Sequence, residues 1–111
     1  MMEDMSSSNI KLDILLKEST HSDYDWINIY IDSTLIGKLR GKFGNEILTI
    51  YTVQIFPEYQ GREFGRRVIE LLKEEYKTIV ADRVRYTARG FWEKTGFVER
   101  DDGCFVFGKS V

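Results

Sequence analysis

EILTIYTVQIFPEYQGREFGRRVIELLKEEY, residues 46–76, is the stretch around which the rest of the chain is arranged. Its first part carries Ile47, Leu48, Ile50, Val53 and Ile55, a density of β-branched and apolar side chains too high for an edge strand, and it predicts a central one. Pro57, the only proline, has no N–H to give to a sheet ladder and ends that strand. Beyond it, Phe64, Val68, Leu71, Leu72 and Tyr76 recur at helical spacing, with Arg66, Arg67, Glu70, Lys73 and Glu74 on the opposite side. A strand, a short glycine-bearing loop and an amphipathic helix result.

Such a unit has a chemical consequence. A helix starting near Gly65 leaves about four N–H groups without intrahelical acceptors, and they point into the loop with the positive end of the helix dipole. Gly61 and Gly65 permit close approach of a ligand to the backbone, and Arg62, Arg66 and Arg67 add positive charge. A diphosphate fits that description. An ordinary strand-to-helix turn fits it too, so the loop alone does not decide.

Outward from this unit, the short links predict antiparallel neighbours. Ile10 to Glu18 reads as a first strand, Trp26 to Asp32 as a second and Leu35 to Arg40 as a third, with polar turns at Ser19 to Asp25, Ser33-Thr34 and Gly41 to Asn45. The helix allows a right-handed return to a parallel strand, Thr78 to Ala81. Tyr86 to Lys94 reads as a second helix, with Phe91 and Trp92 inward and Gly96 placed to stop it in a left-handed conformation. Phe97 to Arg100 and Cys104 to Lys109 form a closing hairpin around Asp101, Asp102 and Gly103. The fold class is therefore α+β, a mixed and mostly antiparallel sheet containing one βαβ unit.

The 111 residues suffice for one domain, expected over 10–111 behind a flexible tail at 1–9. With 42% hydrophobic and 14% aromatic residues the chain is globular rather than disordered. A net charge of −2 does not suggest a nucleic-acid partner. Cys104, the single cysteine, excludes an intramolecular disulfide and fits a reducing compartment. No apolar run approaches the roughly 20 residues of a membrane span, and MMEDMSSSN has no features of a signal peptide. A cytoplasmic protein without membrane attachment is expected. No spaced His/Cys cluster suggests a metal site, and His21 reads as an exposed loop residue.

Two segments carry a family resemblance. Gln60-Gly61-Arg62-Glu63-Phe64-Gly65 resembles the pyrophosphate loop, Q/R-x-x-G-x-G/A, of the GNAT acyl-CoA N-acetyltransferase superfamily. Ala88-Arg89-Gly90-Phe91-Trp92-Glu93-Lys94-Thr95-Gly96-Phe97 is similar to that family's A-x-x-x-Y-E-K-x-G-F segment. Together they are fairly specific, and they run in the family's order and spacing from about Ile47 to the C-terminus. Three positions depart from the pattern. Glu63 stands where the loop has its middle glycine, Trp92 where a tyrosine often acts as general acid, and Thr49 near where some members carry a glutamate base. Ser19 to Asp25 is also too short for the two helices that members commonly place between the first two strands. The resemblance therefore implies a minimal single-domain member with an open acceptor side, or one completed by another chain, as in a homodimer.

The resemblance implies an acetyl-CoA-dependent N-acetyltransferase acting on a primary amine of a small molecule or protein; the alternative is a GNAT-fold module that binds CoA or a partner protein without turnover. Acetyl-CoA is the implied co-substrate. Main-chain groups of Val53 and Ile55 would meet its pantetheine arm, and Gln60, Gly61, Arg62, Glu63, Phe64, Gly65 and Arg66 its diphosphate. Lys94 would meet the nucleotide phosphates, or else stand as a solvated helix-end lysine, and Trp92 completes the cofactor-contacting set. For catalysis, Glu46 at the start of the central strand is the candidate base, working through water, and Tyr86 the candidate acid, with Tyr51 a substitute. A solvated strand-end carboxylate and packing tyrosines are the competing readings.

Overall fold

The computed structural model describes residues 9–20 and 22–108. The expected tail lies outside that range except for Asn9, whose carbonyl accepts a hydrogen bond from the Asp32 N–H at 3.2 Å. His21 and Lys109 lie outside it as well.

Seven strands form one sheet in the order β1-β2-β3-β4-β5-β7-β6. The strands β1 (Ile10–Leu15), β2 (Asp25–Ile31), β3 (Thr34–Phe43) and β4 (Ile47–Ile55) make an antiparallel meander. β1 is shorter than the expected Ile10 to Glu18, because the chain turns at Leu16 into a single helical turn, α1 (Lys17–Thr20). Asp25 fixes that turn. Its buried carboxylate accepts the N–H of Lys17 at 2.8 Å and of Phe43 at 3.0 Å, joining the end of β1 to the end of β3. Two backbone donors satisfy a carboxylate that would otherwise be costly to bury.

β4 leads through a 3-10 turn (Pro57–Tyr59) and the loop into α2 (Phe64–Glu75), which returns the chain to β5 (Thr78–Ala81), parallel to β4. The expected second helix is split: Tyr86–Ala88 winds as a 3-10 turn and only Arg89–Lys94, α3, is α-helical. Gly96 follows at φ +92°, the left-handed stop expected of it. The closing hairpin forms as β6 (Val98–Glu99) and β7 (Phe105–Gly108), and β7 inserts beside β5, leaving β6 at the edge. No helix among the described residues is long and apolar enough to cross a membrane.

α2 and α3 lie side by side on one face of the sheet: Gly65 sits against the Phe91 ring, and Lys73 Nζ donates to the Thr95 carbonyl. Beneath them the core gathers Ile27, Ile29, Ile36, Leu39, Leu48, Ile50, Ile79 and Phe105 from the strands. Val68, Ile69 and Leu72 close it from α2, and Trp92 and Phe97 from the α3 side. Ile69 is fully buried while Leu71 is only half-buried, so the apolar stripe of α2 is rotated slightly from the one read off the spacing. A fully buried aliphatic side chain contributes about 1.5–3 kcal/mol by transfer alone. Ile69→Ala is therefore expected to cost about 2–5 kcal/mol, and Leu71→Ala clearly less. Urea denaturation of the two variants checks this, and the reverse order of midpoints would contradict the rotation.

Candidate functional site

The site begins where two strands part. β4 pairs with β5 only from Ile47 to Ile50, and the Asp82 N–H extends the ladder by one bond to the Ile50 carbonyl at 2.9 Å. Beyond it β4 runs on to Ile55 while the chain after Ala81 turns away at Arg83 (φ +44°). The β3–β4 register shifts at the same level: Arg40 opposes Thr52 but Gly41 opposes Ile50, leaving Tyr51 as an extra, bulged residue. A bulge bends a strand and re-aims its side chains. The divergence opens a cleft of ≈ 640 Å³ with Tyr51 to Gln54 on one wall and Ala81 to Arg85 on the other. Trp92 closes it from α3, with its indole packed edge-on against Phe91 and Phe97.

A second cleft, ≈ 470 Å³, follows along the same strand and helix. Ile55, Gln60, Gly61, Glu63, Phe64, Gly65 and Arg66 line one side, and Gly90, Phe91, Lys94 and Thr95 the other. The first α-helical bond of α2 runs from Arg67 N to Glu63 O, so the N–H groups of Phe64, Gly65 and Arg66 precede it. No side chain caps this end. The glycines serve different needs. Gly61 adopts φ +81° with open space around it, whereas a Cβ on Gly65 would lie 3.2 Å from Cε1 of Phe91. Gly65 thus lets α2 sit close against the Phe91 ring of α3, and a side chain there would press on that ring.

Gln60 and Glu63 do not behave as a bare phosphate cradle would require. The Gln60 amide turns back and donates to the Ile55 carbonyl at 2.7 Å, tying the loop to the end of β4. That carbonyl, expected to meet a pantetheine arm, already has a partner. Glu63 holds φ +68°, the left-handed conformation natural to the glycine it replaces, and so carries backbone strain. Its carboxylate bonds Arg66 Nε at 2.5 Å. The Arg66 hydrogen bond, more than charge alone, holds the Glu63 carboxyl below its ordinary range, with smaller help from Lys94 and Arg67.

The remaining sequence candidates divide sharply. Val53 and Trp92 line the first cleft, and Lys94 the second. Arg62 is exposed and lines neither. Glu46 does stand at the start of the central strand, but its candidate role as base is corrected: that start lies about 13 Å along the strand from Ile50, at the far end from the cleft. There its carboxylate pairs with Lys77 at 3.6 Å in solvent. Tyr86 is 87% exposed and outside both clefts. Tyr51 does line the first cleft, edge-on to Tyr24. Sequence reasoning missed Asp82 and Arg40. Asp82 was detectable as the residue at the carboxyl end of a parallel strand, where open α/β sheets gather ligands. Arg40 was not, because its place beside Thr52 at the register shift depends on a pairing the sequence does not display.

The geometry agrees with comparison to known proteins. Residues 2–97 match the model of the acetyltransferase (GNAT) family. An uncharacterised N-acetyltransferase of Oceanobacillus iheyensis is 24% identical over 110 residues, covering 89% of this chain, and the chain spans 63% of that relative's length. Among solved structures, the Bacillus subtilis N-acetyltransferase YlbP in complex with coenzyme A superposes with a TM-score of 0.61 at 20% identity, covering 76% of this chain and 67% of that one. A GNAT family acetyltransferase from Elizabethkingia anophelis with acetyl-CoA bound gives 0.59 at 15% identity, covering 89% and 96%. These likenesses are ones of fold. The chain belongs to the acetyltransferase (GNAT) family.

Two outcomes follow for the loop. Gly65→Val should displace Phe91 and narrow the second cleft, weakening CoA binding by about tenfold or more in calorimetry; normal affinity would show that the loop is not the ligand's seat. Glu63→Gly and Glu63→Gln should both bind CoA about three- to tenfold more tightly, because each frees Arg66 and removes an opposing charge, and added salt should shrink the gain. The glycine variant alone should also unfold at higher urea, since glycine adopts the left-handed backbone without strain.

Proposed function

We propose that this chain binds acetyl-CoA along the trough formed by the two clefts and transfers its acetyl group to a primary amine. The observation that carries this reading is the succession along one line of a parted β4–β5 pair, a glycine-bearing turn and an uncapped helix N-terminus flanked by Arg66 and Lys94. The parted strands suit a narrow chain that needs main-chain partners, and the helix end suits the diphosphate beyond it. The residues present fit such a ligand, with Glu63 the one group that opposes it.

The co-substrate supplies an acyl group activated as a thioester: the amine lone pair forms the new C–N bond, the C–S bond breaks, and the sulfur leaves as the thiol with the proton the nitrogen gives up. The protein's part is orientation, a donor for the carbonyl oxygen and a route for that proton. Main-chain groups around the Tyr51 bulge are available for the first two. For the third, Tyr51 and Asp82 are the titratable groups of the first cleft other than its arginines, and we assign them the role in place of Glu46 and Tyr86. An acceptor amine with a pKa near ~8 needs such a route less than a lysine near ~10.4.

A second reading, a module that holds CoA without turnover, is favoured by a specific observation: Trp92 occupies the cleft where the family often has a tyrosine, and it has no proton to exchange. Titration with CoA and acetyl-CoA, followed by thiol release with an amine panel, tests both. Heat and a thermal shift with thiol release support the transferase, and binding without release supports the module. Neither heat nor shift at millimolar ligand would sink the two together. Asp82→Asn is expected to lower kcat/KM by about 100-fold or more, as loss of a positioned proton acceptor does, with CoA affinity changed little.

A further inference from the structure

The lining of the first cleft is unexpectedly basic. Arg40, Arg83 and Arg85 all line it, and Asp82 is the only carboxylate among its lining residues, although the whole chain carries a net charge of −2. Asp82 is already engaged, accepting Arg83 Nε at 3.1 Å and the Cys104 Sγ–H at 3.4 Å. Arg40 and Arg85 form no ion pair among the described residues.

Arg40 is also held in an informative way. Its guanidinium stacks over the Tyr24 ring, Cζ 4.6 Å from the centroid, and Tyr24 in turn meets Tyr51 edge-on at 5.4 Å. A cation–π contact engages the charge through the ring and not through a hydrogen-bond acceptor, and no ion pair uses the Arg40 N–H groups among the described residues. Its Nε is shielded from water and has no hydrogen-bond acceptor among the described residues. A cation fixed by aromatic packing rather than by a carboxylate is arranged to receive an anion from outside. Arg85, across the cleft and exposed, adds a second positive charge.

We infer that the acceptor amine is a small molecule that also bears an anionic group, a carboxylate or a phosphate, which Arg40 and Arg85 hold at the mouth of the first cleft. The amine then faces the parted strands, where its nitrogen forms the C–N bond as the thioester C–S bond breaks. Polycationic amines are disfavoured by the same two arginines. This assignment rests on the acetyl-transfer reading for its chemistry, but the anion preference is a binding property and stands or falls separately.

The test is calorimetric titration of the CoA-saturated protein with matched probes: alanine against alaninamide, phosphoethanolamine against ethanolamine, and spermidine. The anionic member of at least one pair is expected to bind about tenfold or more tightly than its partner, with spermidine weakest. Which pair discriminates separates carboxylate from phosphate. Arg85→Gln, at an exposed position, and Arg40→Gln should each reduce that ratio, and the double variant should bring it to about one. Probes lacking the carboxylate or phosphate, or spermidine, binding as well as those that bear it would overturn the inference, as would an unchanged ratio in Arg85→Gln and the double variant. Should Arg40→Gln fail to fold, Arg85→Gln alone decides. Thiol release is recorded in parallel: its absence with every acceptor, alongside an intact anion preference, counts against acetyl transfer and not against the anion site.

Discussion

The proposed site depends on a hydrogen-bond ladder that stops. Four residue pairs join β4 to β5, and then β4 continues from Tyr51 to Ile55 with no strand on that side. Backbone groups inside a protein almost always find partners, so an interrupted ladder in the middle of a sheet either takes water or takes a ligand. The termination is enforced from both sides. The Tyr51 bulge bends β4, and β7 draws β5 the other way by pairing with all of its residues from Thr78 to Ala81. The clefts are therefore a property of the sheet, while the loops decide only what lines them.

The helices act on that opening from one face. α2 must lie close enough to α3 for Gly65 to touch Phe91, and Lys73 crosses between them to reach the Thr95 carbonyl, its ammonium above the Phe107 ring. These contacts set the width of the second cleft. Among the described residues the opposite face of the meander receives no comparable layer, because only one helical turn, α1, lies between β1 and β2. Asp25 compensates locally by bonding Lys17 and Phe43, which keeps the ends of β1 and β3 together without a covering helix.

The βαβ unit was legible because three independent signals coincide within about thirty residues: β-branched density, one proline, and a helical period opened by glycines. β5 was legible for the same reason. The cleft was much less so. An apolar strand hides its own bulge, since Ile47 to Ile55 lacks the strict alternation that would expose a skipped residue, and the side chains beyond Ile50 change face unannounced. Glu46 looked eligible as a base only because distance along a strand is invisible until one knows where the ladder ends. The place of β7 between β5 and β6 was equally hidden, for a hairpin can attach by either strand.

The hydrogen bond from the Gln60 amide to the Ile55 carbonyl concerns time as well as shape. Together with the bond from Gln60 N–H to the Pro57 carbonyl, it shapes the loop before any ligand arrives. A site built in advance has little ordering left to do at the moment of encounter. On the proposed reading, association is expected at the ordinary orientation-limited rate for a surface groove. Differences in affinity among ligands, or among loop variants, appear as differences in how long the complex survives.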